Sequence, residues 1–306
     1  MAGFAQGSRS GLSYVKETTY GVTPATPALI QIPAKPGTLQ LTKETLKGED
    51  ITPDRMNRVS RHGNRQIGGD IVCDLRAGDF DDFLEGVFFN TWASDILKIG
   101  TSLKSFSIED AMEDISQYRL YSGCAISSMA VSIKINSMVN TTFTFVGKDL
   151  STTTTSVDPT KTAYSANEPF DAYTQTMKIA DAGGSLAAIA VITGIDFTIN
   201  NNINPTFVLG SATTPQLEYG RATVEGTITA YVEDMTLFNR FLNETATAIE
   251  VPLVDLDGNV YTFLFPNCKL NTGEIALDGE ASRTISISFE ALYDATEGTA
   301  VKLTRA

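Results

Sequence analysis

Few residues of this chain have the types and spacing that catalysis or metal binding requires. His62 is the only histidine, and it lies in the polar stretch Ser60–Arg65 without a serine or cysteine in any known nucleophile context. The run Asp255–Asn259 begins like a calcium loop, but residue 266, where such a loop needs its closing glutamate, is a proline. An Asp-Gly pair between two alternating strands is typical of a tight hairpin turn, which is the structure we expect there.

An acidic run in the first half of the chain could in principle hold a divalent cation. It consists of Asp79, Asp81, Asp82 and Glu85. Acidic residues in the first turn of a helix ordinarily interact with the positive end of the helix dipole, so a helix start is the favoured interpretation. Neither a GxGxxG nor a GxxxxGK phosphate loop is present. We therefore expect no catalytic residue, no metal site and no cofactor, and hence a protein that is not an enzyme.

The stretch from Lys47 to Arg65 carries four arginines at regular spacing. They are Arg55, Arg58, Arg61 and Arg65. Three interpretations are open: a nucleic-acid contact, a solvated loop, or a contact with carboxylates of a neighbouring subunit. Nucleic-acid binding needs surplus positive charge and is helped by interleaved aromatic residues, and this chain has neither. Because the guanidinium fork pairs bidentately with carboxylates, the subunit contact is favoured.

The distribution of charge supports this choice. Residues 1–65 carry 9 basic and 5 acidic residues, a balance of +4, whereas residues 66–306 carry 14 basic and 31 acidic residues, a balance of -17. The total of -13 disfavours a protein that wraps nucleic-acid phosphates. The two parts should attract each other, either within one molecule or between neighbouring copies.

Alternating polar and apolar residues recur from residue 37 to the end and predict a mainly β fold. Two segments follow a helical period instead, at 79–89 and 234–243, and each is predicted to be a short amphipathic helix. No stretch approaches the ~20 apolar residues that a membrane helix needs, and the N-terminus lacks the apolar core of a signal peptide. We expect a soluble protein made in the cytosol, without membrane contact.

An internal repeat is the most informative feature of the sequence. Gly37–Leu41 matches Thr193–Phe197, and elements match at offsets of 156 to 158 as far as the helices and at 144 after them. The repeat residues are Gly69, Ile71, Phe80, Phe83 and Cys124 in the first half, and Gly226, Ile228, Phe238, Phe241 and Cys268 in the second. The drop in offset indicates an insertion in the first half at about residues 90–104.

The repeat predicts two copies of one small β domain, at residues 36–150 and 186–306. The first copy contains a long basic loop at 43–65. Residues 1–35, polar at the start and punctuated by prolines, are predicted to be an extended arm, and residues 151–185 a linker. The three cysteines are far apart and odd in number, so we expect buried apolar residues rather than disulfides or metal ligands.

Several strings in this order make the chain resemble the major tail tube proteins of bacteriophages with long, non-contractile tails, in particular a group with a duplicated tail tube domain. The resemblance covers nearly the whole chain. The strings are Lys16–Pro24, Ile51–Arg55, Glu168–Tyr173, Gly226–Asp234, Phe241–Leu242 and Tyr261–Phe263.

The resemblance implies a fold of two tandem β-sandwich or barrel-like tail tube domains, each with one short flanking α-helix. It implies a structural protein of the virion tail, made in the host cytoplasm, that assembles into stacked rings through which DNA is delivered. Because single-domain families form hexameric rings, a duplicated chain would form trimeric rings with pseudo-sixfold symmetry. A β-sandwich adhesin or another surface-fibre subunit is the alternative.

The resemblance also implies the partners. They would be the chain itself, the tape measure protein inside the tube, and the tail terminator and distal tail proteins at its ends. DNA would pass through without specific binding, past an acidic wall that repels it. On this basis we expect Arg55, Arg58, Arg61 and Arg65 to bond to the acidic body of the adjacent ring.

Overall fold

The computed structural model describes residues 3–54, 56–173, 176–275 and 282–306. The prediction of a mainly β protein is confirmed, with 50% of the residues in strands and 7% in helices. The helices are α1 (Asp81–Phe88) and α2 (Thr236–Leu242), one in each predicted helical segment and slightly shorter than expected. Two 3-10 turns lie at Gly7–Arg9 and Glu113–Ile115.

The strands fall into two groups along the chain. Those of the first half are β1 (Ser10–Lys16), β2 (Ile30–Ile32), β3 (Gln40–Lys47), β4 (Ser60–Asp74), β5 (Ile96–Lys98), β6 (Phe106–Met112), β7 (Gln117–Lys134), β8 (Asn140–Gly147) and β9 (Asp149–Thr153). Those of the second half are β10 (Lys178–Asp181), β11 (Ala187–Ala188), β12 (Ile192–Asn200), β13 (Ile203–Pro205), β14 (Leu217–Tyr219), β15 (Thr223–Tyr231), β16 (Thr247–Val254), β17 (Val260–Leu270), β18 (Glu274–Ile275), β19 (Thr284–Ala291) and β20 (Lys302–Arg305).

One antiparallel sheet, here called the central sheet, runs through both halves of the chain. Its strand order is β3-β4-β8-β7-β12-β15-β19-β18. Two flanking sheets complete the fold. The first has the order β2-β1-β6-β7-β9, and the second has the order β11-β10-β16-β17-β20-β5. The long strands β7 and β17 belong to a flanking sheet at one end and pair within the central sheet at the other.

Buried aromatic side chains fill the space between the central and flanking sheets. In the first half Phe83 of α1 lies edge-on to Phe106, Phe143 and Phe145, with ring centroids 5.1, 5.4 and 5.5 Å away. The face of α1 that carries Phe83 packs into the core, and Phe83 has no exposed surface. In the second half none of the α2 residues is buried, so the two helices occupy different environments.

The first 35 residues are not an extended arm, contrary to the expectation from sequence. Strand β1 pairs with β6 over seven residues, and β2 pairs with β1. Tyr14 is only 3% exposed and packs edge-on to Phe106, so burial of an aromatic ring holds this segment on the domain. The predicted linker 151–185 likewise contains the end of β9, the strand β10 and the fully buried Phe170.

The repeat glycines Gly69 and Gly226 are explained by close backbone approach. Gly69 has φ +136°, and a Cβ there would lie 2.4 Å from the carbonyl oxygen of Thr38. A Cβ on Gly226 would lie 2.6 Å from the carbonyl oxygen of Asp196. Both contacts are shorter than any side chain tolerates, so glycine is required in these two strands.

Replacing Gly69 by alanine should lower the free energy of unfolding by about 1–3 kcal/mol, because the backbone would have to shift or strain to accept a methyl group. Thermal denaturation followed by circular dichroism measures the change. Gly68→Ala is the matched control, because a Cβ at Gly68 meets nothing within 4 Å. Equal melting temperatures for the two variants would contradict the close-approach explanation.

Candidate assembly interface

The two halves of the chain meet edge to edge in the central sheet. Strand β12 pairs with β7 over seven residues, with Phe197 opposite Val131 and Thr198 opposite Ala130. The ladder continues past the strand end, where the Asn201 N–H donates to the Ser127 carbonyl at 2.8 Å. Backbone hydrogen bonding between two exposed strand edges therefore joins the halves.

A hairpin of the second half extends this junction over the first half. Its base, β13 and β14, places Ile203 and Leu217 in a buried cluster with Phe89 and Ala125, against which Val146 packs. The side-chain amide of Asn201 donates to the carbonyls of Val87, at the end of α1, and Ile126, at 2.9 and 3.1 Å. The contact between the halves is thus apolar at its centre and closed by a buried amide.

The insertion expected at about residues 90–104 lies at the same junction. It contains β5, which pairs with the C-terminal strand β20 of the second half. Arg305 of β20 pairs with Asp81 and Asp95, and its guanidinium lies 4.4 Å from the centroid of the Trp92 ring. The insertion therefore links the first half to the second.

Asp81 is the polar centre of this link. It accepts hydrogen bonds from the Tyr261 hydroxyl and from Arg305. Burial raises the pKa of the Asp81 carboxyl, against the opposing influence of Tyr261 and Arg305. Burial, and then the charge of Asp81, raises the pKa of the Tyr261 hydroxyl. Tyr261 thus remains a hydrogen-bond donor at neutral pH. Of the other acidic residues of the run, Asp82 and Glu85 pair with Lys16 at 2.7 and 2.9 Å, and Asp79 accepts from the Ser165 N–H at 2.7 Å.

Both outer edges of the central sheet are open in the part of the chain that the structure describes. Strand β3 pairs only with β4, and β18 pairs only with β19. The Thr38 N–H donates to the Asp70 carbonyl, and alternate residues of an antiparallel strand bond to the same neighbour. The N–H groups of Leu41 and Lys43 therefore point away from β4, towards the open edge, whereas at Leu39 the same side of the backbone meets Tyr121, whose hydroxyl donates to the Leu39 carbonyl at 3.1 Å.

The structure separates the four arginines of the predicted basic loop. Arg61 and Arg65 lie on strand β4, because β3 and β4 pair as far as Lys47 and Ser60, so the loop itself is only 48–59. Arg65 pairs with Asp149 of its own chain at 2.6 Å, and Arg58 pairs with Asp54 of its own loop at 2.7 Å. Arg55 lies outside the described residues.

Of the three arginines of this set that the structure describes, Arg61 is the most available to a neighbour. It is exposed and, within the described residues, makes no ion pair. The loop tip also exposes apolar side chains, since Ile51 is fully exposed and Met56 is 68% exposed. This apolar tip was not predicted from the sequence, where the charges of the stretch carried the prediction.

The other residues of the predicted repeat lie in or against the hydrophobic core, with one difference between the halves. Gly69 and Ile71 lie opposite Phe145 and Phe143 on β8, and their counterparts Gly226 and Ile228 lie opposite Phe289 and Ile287 on β19. The remaining buried repeat residues are Phe80, Phe83, Cys124 and Cys268, whereas Phe238 and Phe241 are half-buried. The three cysteines are free and buried, as expected, and burial raises the pKa of each thiol.

The other candidates for chemistry have structural roles. Asp255–Asn259 forms the turn between β16 and β17, with Gly258 at φ +88° and the Asp255 carboxylate accepting from the N–H of Asn259 at 2.8 Å. The hairpin interpretation is confirmed. No group of three or more potential metal ligands occurs among the described residues. No helix in the described part of the chain is long and apolar enough to cross a membrane.

Comparison with known families identifies the kind of protein that carries these open strand edges. A family model described as phage tail tube protein matches residues 7–300. The chain belongs to the phage tail tube protein family. This is a family of structural proteins of the virion tail and not of enzymes. None of the curated proteins matches the chain.

Membership of the tail tube family relates the open edges to self-association. Tail tube proteins associate with themselves to form a tube. Exposed strand edges carry unpaired N–H and C=O groups that can bond to a strand of another chain.

Proposed function

We propose that this tail tube protein forms rings in which chains join head to tail, β18 of one chain pairing with β3 of the next, and that the rings stack into the tube through which DNA is delivered. The observation that carries the proposal is the β7–β12 junction, where the same kind of edge pairing already joins the two halves of one chain. A contact that does not close on itself within a dimer generates a ring when its rotation closes.

Strand register supports the tandem duplication on which this proposal depends. Ile71 of β4 pairs with Phe143 of β8, and the residues 157 and 144 positions further on, Ile228 and Ile287, form the corresponding pair. The β7–β8 pairing shifts register between Ile126 and Ser128, and β19 shows the same one-residue shift between its pairings with β17 and β18.

The same comparison supports wider domains than 36–150 and 186–306. Strand β1 pairs with β6 and is followed by β2, just as β10 pairs with β16 and is followed by β11. Likewise β9 pairs with β7 as β20 pairs with β17. We therefore propose that copy 1 spans 10–153 and copy 2 spans 178–305, and that the segments first interpreted as arm and linker contain the first strands of the two copies.

Strand register also predicts which residues meet between chains in the proposed ring. Gln40 pairs with Gly68 and Thr198 pairs with Glu225, so β12 corresponds to β3 at an offset of 158 and not at the 156 read from the sequence. Transferring the Thr198–Ala130 pair by these offsets places Gln40 of one chain opposite Glu274 of the next. Leu39 then lies opposite Ile275, and Leu41 opposite Gly273.

The duplication sets the expected stoichiometry. Each chain contributes two domains and one internal junction, so a ring of six domains contains three chains and three junctions between chains. The acidic body of such a ring, with a balance of -17 over residues 66–306, would repel DNA and let it pass without specific binding. We further propose the tape measure protein as the partner inside the tube, and the tail terminator and distal tail proteins as partners at its ends.

Disulfide trapping tests the ring. In the double variant Gln40→Cys/Glu274→Cys the two thiols face each other across a non-hydrogen-bonded pair of the proposed joint, where Cα atoms are about 4.5 Å apart. Oxidation should give a covalent ladder that ends at three chains on a non-reducing gel. A ladder ending at six would refute the trimer, and the absence of covalent oligomers would refute head-to-tail pairing.

Matched variants exclude accidental oxidation. Ala130→Cys/Thr198→Cys places the same pair at the internal junction and should give only a cross-linked monomer. Gln40→Cys alone should not give a ladder. The native cysteines are buried and so do not compete.

Stacking of rings is proposed to depend on the tip of the β3–β4 hairpin. The tip, residues 48–59, combines exposed apolar residues, Ile51 and Met56, with the exposed guanidinium group of Arg58, and the exposed Arg61 follows it at the start of β4. Arg55 was expected to share this role. Arg65 was expected to share it too, but Arg65 is bonded to Asp149 of its own chain. We therefore propose that the other arginines, and not Arg65, bond to an adjacent ring.

A further inference from the structure

A charged patch lies on the surface of the second half, next to an open edge of the central sheet. It consists of Glu244, Lys269 and Glu290. Lys269 pairs with Glu244 at 2.9 Å, although both side chains are strongly exposed, at 47% and 73%. Glu290 lies between Lys269 and Glu225 on neighbouring strands. The patch adjoins β18, the strand edge that is open in the described structure.

Register identifies what covers the equivalent surface in the first half. Ala125 pairs with Val146 as Lys269 pairs with Glu290, so these two pairs occupy corresponding positions. Ala125 and Val146 are covered by the hairpin base of the second half, through Ile203. The apolar surface that is covered in copy 1 therefore corresponds to a charged surface in copy 2.

The hairpin that would cover the charged patch is also identified by register. Ile203 pairs with Tyr219 as Thr45 pairs with His62, which makes the base of the β3–β4 hairpin the counterpart of β13 and β14. Thr45 thus occupies the position that corresponds to Ile203, and Ser60 occupies the position that corresponds to Leu217. By the same offset Lys43 replaces Asn201, whose amide closes the internal junction at the end of α1.

We propose that the Glu244–Lys269–Glu290 patch is the docking site for the base of the β3–β4 hairpin of a second copy of this chain in the same ring, with Lys43 bonding to Glu244. This inference rests on the proposed head-to-tail ring. It assigns the base of the hairpin to the neighbour within a ring and leaves its tip for the adjacent ring. Charge complementarity supports the occupant, because residues 43–65 carry six basic and four acidic residues, whereas the patch and its edge carry Glu225, Glu244, Glu274 and Glu290 against Lys269.

The proposal distinguishes the two kinds of junction chemically. The junction within a chain buries the apolar residues Ile203 and Leu217, whose contacts do not depend on the screening of charges by salt. The junction between chains is built from charged and polar groups, and exposed ion pairs weaken as ionic strength rises. Rings should therefore dissociate into intact chains at high salt without unfolding of the chains.

A charge swap is the first test. Lys43→Glu should weaken ring association, measured by sedimentation at several protein concentrations, by about tenfold, which corresponds to ~1.4 kcal/mol. The double variant Lys43→Glu/Glu244→Lys should return association to within about threefold of wild type. Lys134→Glu, the same charge change on an exposed residue of the interior strand β7, away from both open edges, should leave association unchanged.

Grafting the apolar junction onto the joint between chains is the second test. The variant Thr45→Ile/Ser60→Leu/Lys269→Ala/Glu290→Val copies the internal residues into their counterparts. Its rings should persist when NaCl rises from about 0.05 to about 0.5 M, whereas wild-type association should fall by at least about tenfold. Equal salt dependence of the two proteins, or a Lys43→Glu variant that associates like wild type, would overturn the docking proposal.

The disulfide pair separates this inference from the proposed function. If Gln40→Cys/Glu274→Cys gives the three-chain ladder while the charge swap has no effect, the ring stands and the charged docking site fails. If no ladder forms, the ring itself fails, whatever the charge variants do.

Discussion

Replacing Leu41 by proline should abolish ring formation while leaving a folded chain. The N–H of Leu41 points to the open edge of β3, so β4 does not need it, and proline is tolerated on edge strands. In the proposed joint the same N–H donates to the next chain. Each carbonyl left without a donor costs about 1–3 kcal/mol, and a ring has three such joints, so ring formation should fall by at least about 100-fold.

Leu41→Ala is the matched control for this prediction. It removes the same side chain, which packs against the core, but keeps the N–H. Sedimentation should show rings for the alanine variant and monomers for the proline variant, with similar far-UV circular dichroism. Rings of Leu41→Pro with wild-type stability would show that the β3 edge does not form the joint.

Reversing the charge of Arg58 and Arg61 together should leave rings intact but prevent their growth into tubes. Neither residue takes part in a buried contact, and the Arg58–Asp54 pair is solvent-exposed, so the folded chain should lose less than about 1 kcal/mol. Four units of charge change at the hairpin tip would turn attraction to the acidic body of the adjacent ring into repulsion. We expect the mean tube length in electron micrographs to fall by more than about tenfold.

Two comparisons make the result specific. Arg9→Glu/Arg221→Glu changes the same amount of charge at exposed sites outside the hairpin and should still give tubes. Introducing Gln40→Cys/Glu274→Cys into the reversed variant should still trap closed rings. Tubes of normal length from Arg58→Glu/Arg61→Glu would remove the hairpin tip from the stacking contact.

Local patterns in the sequence were enough to predict much of the fold. Alternation predicted the strands, the spacing of Phe80, Phe83 and Val87 predicted α1, and the Asp-Gly pair before Asn259 predicted the turn between β16 and β17. These features depend on residues close together in the chain. The family membership inferred from the order of short strings is likewise confirmed.

What the sequence did not reveal depends on contacts between distant residues. Strand β1 was missed because its partner β6 lies nearly a hundred residues away, and nothing local in Ser10–Lys16 announces that pairing. In the proposed duplication the match of Gly37–Leu41 to Thr193–Phe197 is two residues out of register, because a strand pattern with period two is unchanged by a shift of two. Arg65 looked available to a neighbour because its partner Asp149 lies on another strand.

The covalent connection between β7 and β12 also has a kinetic consequence. Because one chain carries both partners of that junction, half of the six joints in a three-chain ring form at an effective concentration set by the tether and not by how much protein has been made. The rate-determining encounter then involves three molecules where separate domains would need six. Rings would appear at a lower intracellular concentration, and the nucleation of a tube would depend less steeply on expression level.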